Sequence, residues 1–157
     1  MTLYAIKIDS HLAHVPPSAA AAVTLFNYLS GADLAADLRE DYANDFCRTS
    51  GIARTPNSHV TLVANEAQIA SAPLALGAHG LVTCEHLMEK LLQQYQELDA
   101  ELERLEMAHA KGEDLPHHAA RMLALDALME NSPFTRDHDE GIILKSEASR
   151  PAMRQAF

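Results

Sequence analysis

The sequence predicts an α+β fold that is predominantly helical: a small N-terminal unit of two short strands and two helices, then a long-helix antiparallel αα-hairpin. Three observations predict it. Hydrophobic residues make up 48% of the 157 residues, while aromatics make up 5% and Trp is absent. The core must therefore be filled by Leu, Ala, Val, Ile and Met, which favours closely approaching helices over a sheet sandwich. Two segments of the first eighty residues carry strand patterning, the first of them alternating with the period of two that a half-buried strand requires. From Leu81 onward the apolar residues recur at three and four, the spacing of a helix with a narrow seam.

The elements follow in order. Thr2 to Ile8 places Tyr4, Ile6 and Ile8 on one face and Leu3, Ala5 and Lys7 on the other. His11 to Pro17 reads as a connector closed by Pro16-Pro17. Ser18 is a candidate N-cap for a helix through AAAAVTLFNYL, with Gly31 as its stop. Asp33 to Arg48 reads as a second helix with Leu34, Leu38, Tyr42 and Phe46 on one face. Thr49 to Ser58 is a loop, and His59 to Ala64 (HVTLVA) is the second strand. Asn65 is read as the start of a short helix that fails before Pro73. The small-residue connector Pro73 to Gly80 marks the main boundary, which makes residues 1–80 the N-terminal unit.

Residues 81 to 110 are expected to form one long amphipathic helix. Met88, Leu91, Tyr95, Leu98, Leu102 and Leu105 form its seam, and Cys84 extends the seam as a packed residue. Gly112 and Pro116 break the helix, after which Leu115, His118, Met122, Leu125 and Met129 repeat the spacing as far as Pro133. Residues 81–133 thus read as an acidic helical hairpin. At about 1.5 Å per residue the two arms span roughly 43 Å and 23 Å. The shorter arm covers only the half nearer the loop, so Cys84, Met88 and Leu91 need another cover, from the N-terminal unit or a second molecule. Residues 134–157 read as a partly mobile tail that passes from the acidic Asp137-His138-Asp139-Glu140 to the basic Lys145, Arg150 and Arg154.

Charge separates the function classes. The chain carries 22 acidic and 12 basic residues, a net −10. Residues 1–80 contribute −3, residues 81–140 contribute −9 and the last seventeen contribute +2. Direct binding to nucleic acid is disfavoured, because phosphate contacts need Lys and Arg. An anionic membrane surface is disfavoured for the same reason, and no apolar stretch reaches spanning length. With Met88, Tyr95 and Leu102 at one seam position, Glu101 of a parallel homodimer would face Glu106 of its partner and repel it. An intrachain hairpin, an antiparallel dimer or a basic partner avoids that repulsion.

Chemical motifs are sparse. Cys47 and Cys84 show no CxxC spacing, which fits a reduced, cytoplasmic chain, and MTLYAIKIDS shows no secretory pattern. Among nine histidines, His11 and His14 lie on a connector, and Cys84 and His86 point about 200° apart on a helix. The run Asp137 to Glu140 lacks the Gly and spaced oxygens of a calcium loop. No HExxH, GxSxG, Walker A or GxGxxG pattern occurs. Cys47 sits beside Phe46 and Arg48, where a packed thiol is the ordinary reading. Arg121 is positioned to pair with an acid of the long arm.

The expectation is a small acidic, non-enzymatic protein-binding module without cofactor, metal, membrane or direct nucleic-acid contact. Its acidic face, from Glu97, Asp99, Glu101, Glu103 and Glu106, would meet a basic surface of another protein and block nucleic acid there. In size and charge the chain resembles small phage-encoded inhibitors such as anti-CRISPR proteins, which implies mimicry of nucleic acid. Two other readings stand beside it. One is a structural assembly module that forms an antiparallel homodimer through the long-helix seam. The other is a small metal-binding protein or enzyme that uses the scattered His and Cys.

Overall fold

In the computed structural model, residues 2–113, 117–137 and 141–145 are described. The chain is α+β and divides into two compact units, Leu3–Lys90 and Met1–Thr2 with Leu91–Phe157. The division falls inside the long helix.

The first unit is built on a four-stranded antiparallel sheet of β1 (Tyr4–Ile8), β2 (His11–His14), β3 (His59–Ala64) and β4 (Ala67–Pro73), in the order β2-β1-β3-β4. Ile6 pairs with Leu62 and Ile8 with Val60, so these side chains share one face, and all four are fully buried. Helix α1 (Ala19–Ser30) packs on this sheet and buries Ala22, Val23, Phe26 and Leu29. Ser18 Oγ accepts the Ala21 N–H at 3.1 Å, and Gly31 closes the helix at φ 84°, as the sequence expects.

Two expected non-strand segments are strands. His11–His14 pairs with β1 instead of serving as a connector, through a two-residue turn in which Asp9 and Ser10 both have positive φ. Ala67–Pro73 is β4 instead of the expected short helix. Asn65 and Glu66, at φ 51° and 70°, form the matching two-residue turn from β3. Positive φ at both central positions gives the twist a tight hairpin needs. Asn65 also accepts the Leu3 N–H on Oδ1 at 3.0 Å, and its own N–H reaches the Leu3 carbonyl at 2.9 Å. The N-terminal unit therefore has four strands, not two.

Helix α2 (Arg39–Ser50) begins later than the expected Asp33 and buries Ala43 and Cys47. Leu38, expected on the buried face, is its N-cap residue and is exposed. Arg39, the first residue of α2, lays its side chain across two glycines. A Cβ at Gly31 would come within 2.8 Å of Arg39 Cδ, and one at Gly77 within 2.5 Å of Arg39 Cζ. Arg39 Nε also donates to the Leu34 carbonyl at 3.1 Å, which ties α2 to the turn before it.

Helix α3 (Cys84–Ala110) starts three residues later than expected, because Thr83 Oγ1 accepts the His86 N–H at 3.1 Å and caps it. Val82 is fixed just before the cap by buried Asn27, which donates from Nδ2 to the Val82 carbonyl at 2.8 Å and accepts its N–H on Oδ1 at 2.9 Å. Along α3, Leu87, Leu91, Tyr95 and Leu102 are buried, and Met88, Leu98 and Leu105 are half-buried. Cys84, expected to be packed, is exposed; the buried seam begins at Leu87.

The second unit continues with α4 (His118–Asn131), which buries His118 and Leu125. Within the stretch read as a partly mobile tail, the described residues form a strand pair, β5 (Phe134–Asp137) with β6 (Gly141–Leu144). Phe134 and Ile143 are buried, and the Phe134 ring lies 6.1 Å from that of Tyr95. Leu115, His138 to Glu140, Arg150 and Arg154, singled out from the sequence, lie outside the described residues. No described helix is long and apolar enough to cross a membrane.

Candidate functional site

Helix α3 carries seven carboxylates and two Lys or Arg along 27 residues. Each residue turns the helix by about 100°. Glu101 therefore falls on one flank of the Leu91–Tyr95–Leu102 seam and Asp99 and Glu106 on the other, while Glu103 and, further still, Glu97 lie round toward solvent. The five carboxylates do not form a single stripe. Three border the seam on its two sides, and two lie further round.

Two of them are engaged within their own unit. Glu101 receives a bidentate pair from Arg121 of α4, Nε to Oε1 at 2.8 Å and Nη2 to Oε2 at 3.0 Å. The Arg121 hydrogen bond holds the Glu101 carboxyl below its ordinary value. On the opposite flank, Asp99 Oδ2 accepts from Arg136 of β5, through Nε at 3.1 Å and through Nη2. The Asp99 side chain is 17% exposed, so this clasp is the better shielded of the two. Burial, and then the Asp99 charge, push the neighbouring Tyr95 phenol up. Glu97, Glu103 and Glu106 are exposed, and the Glu103 charge acts on Arg136. Arg121 was legible as a partner for the long arm. Arg136 was not, because its strand carries no apolar alternation.

The other chemical candidates have ordinary structural explanations. Asp9, Ser58 and His59 adjoin one another and combine the residue types of a nucleophilic triad, but their bonds run differently. The Asp9 carboxylate takes the Ser58 hydroxyl, which holds it below its ordinary value, and the His59 backbone N–H at 2.9 Å. The His59 ring turns to the Asn57 carbonyl, Nδ1 at 2.8 Å. Ser58 is 2% exposed and accepts the Thr55 N–H at 2.9 Å. The group ties β1 to the start of β3, and no hydroxyl is aimed at an imidazole. Cys47 is buried, and burial pushes its thiol up, away from the thiolate a nucleophile needs. Among the described residues, no three His, Cys, Asp or Glu side chains gather closely enough to hold a metal ion.

The chain matches no protein-family model, no curated protein and no solved structure.

Proposed function

We propose that the protein is a non-enzymatic binding module whose long helix presents carboxylates to a basic surface of another protein. The observation that supports it is the charge of α3, seven carboxylates against two cations, with Glu97, Glu103 and Glu106 directed to solvent. In this reading Asp99 and Glu101 serve the scaffold and the three exposed glutamates meet the partner. A rigid helix fixes their spacing without an ordering cost at binding. A protein surface that normally holds phosphates has the complementary field, so occupation by the helix excludes nucleic acid.

The reading includes an antiparallel α3–α4 hairpin. Arg121 in the first turn of α4 reaches Glu101, and the rings of His118 and His109 lie 6.0 Å apart, as expected if α4 folds back beside the end of α3. Self-pairing through the seam is less favoured, since Leu91, Tyr95 and Leu102 are 1%, 4% and 8% exposed in the single chain.

The test is capture of the partner from native-host lysate, followed by competition. Excess duplex DNA, RNA or heparin should release the captured partner if the helix occupies a polyanion site. A partner retained at saturating polyanion would overturn the reading.

A further inference from the structure

The N-terminal unit contains a hollow of about 430 Å³ that the proposed role of α3 does not use. That volume lies within the range of small-molecule sites. Pro56, Leu74 and Leu76 supply its apolar lining, and Leu76 is 61% exposed, more than a core residue would be. Glu40, Asn44 and Arg54 form its polar side.

Arg54 is oriented before any ligand arrives. Nη1 donates to Glu40 Oε2 at 2.8 Å and to Asn44 Oδ1 at 2.7 Å, and Nη2 donates to Glu40 Oε1 at 3.0 Å. Its side chain is 17% exposed. These bonds use the tip of the guanidinium and its Nη1 flank. Among the described residues, two of the five donors are left without an acceptor, Nε–H and the second hydrogen of Nη2. Nη2 lies on the Nε–H side of the fork, so both hydrogens point the same way from one edge. A carboxylate fits such an edge with two parallel bonds.

Glu40 completes the site. Its side chain is 64% exposed, and each oxygen has lone pairs beyond the one given to Arg54. The pair has no net charge and the whole chain carries −10, so a simple anion gains little here. A ligand with both signs matches both halves. Glu40 Oε1 bonds to Nη2, the nitrogen that also belongs to the open edge, so the acceptor for a cation sits next to the donors for an anion.

We propose that this hollow binds an α-amino acid with an apolar side chain, as its zwitterion. The α-carboxylate takes the open edge of Arg54, the α-ammonium donates to Glu40 Oε1, and the side chain lies against Pro56, Leu74 and Leu76. Asn44 holds Arg54 in place and is a positioning residue.

The experiment is titration of the isotope-labelled full chain with L-leucine, read at the Arg54 Nε–Hε NMR signal. Glycine, acetate and isobutylamine form parallel arms. Leucine should shift the signal saturably at millimolar concentration, corresponding to roughly −4 kcal/mol of binding. Glycine should bind several-fold more weakly, and acetate and isobutylamine should give no saturable shift in the same range. Glu40→Gln should weaken leucine roughly tenfold, the loss expected for one charge-assisted hydrogen bond. Leu76→Ala, which removes no hydrogen bond, should weaken leucine but leave glycine unchanged, so the proposal stays testable if Glu40→Gln disturbs the fold. No saturable shift with leucine up to about 50 mM would overturn it. So would acetate binding as tightly as leucine, which would make the hollow a plain oxyanion site.

Discussion

Single residues set the fold's sharpest features, and the two hairpin turns show how. Asp9, Ser10, Asn65 and Glu66 all hold positive φ, a conformation that costs a side chain roughly 1–2 kcal/mol unless something local compensates. Asn65 is compensated through Leu3 and Asp9 through Ser58 and His59; among the described residues no comparable bond is seen for Glu66. Glu66→Gly is therefore expected to stabilise the protein by about 0.5–1 kcal/mol, read as a higher denaturation midpoint at unchanged slope. Asp9 has a folded pKa below its unfolded one, so its contribution is present above the unfolded value and lost as pH falls through the folded value. Wild type should lose stability on acidification below about pH 4 more steeply than Asp9→Asn, and equal slopes for both would contradict the assignment. Asn27 satisfies both backbone groups of Val82 in a buried setting. Asn27→Ala leaves them unpaired and should cost about 2–4 kcal/mol in chemical denaturation.

At the level of elements, legibility follows the strength of the local signal. Helix α1 could be read from end to end because Ser18 and Gly31 are unambiguous caps. The body of α3 could be read because its seam runs over several turns, although Thr83 rather than Leu81 marks its start. The two hairpins could not be read. Asp-Ser and Asn-Glu lack the glycine that normally announces such a turn, and Asn65-Glu66-Ala67-Gln68 imitates a capped helix start. The strand β2 has no apolar alternation because it is a short, exposed edge. In the candidate site, the carboxylates of α3 were legible as residues, but their division into clasps and free groups was not, since it depends on where Arg121 and Arg136 fall in space. The Arg121–Glu101 pair is open to solvent, so a double-mutant cycle with Glu101→Gln and Arg121→Ala should give little or no coupling. A coupling comparable to that of a buried ion pair would mean that this clasp is far less accessible to solvent than its exposure indicates.

For the whole molecule, the dominant property is a net charge of −10 carried mostly by residues 81–140. Such a field steers a basic partner toward the protein and weakens with added salt. The most direct measurement is the affinity of the captured partner for wild type and for Glu97→Lys/Glu103→Lys/Glu106→Lys, at low and at physiological salt. Asp99 and Glu101 stay intact in that variant, so the clasps to Arg136 and Arg121 are preserved and circular dichroism should be unchanged. The account predicts that the variant loses affinity by about a hundredfold or more at low salt, and that wild type loses most of its advantage as salt rises. A variant that binds as tightly as wild type, with the same salt dependence, would contradict the claim that the helix recognises its partner through these carboxylates.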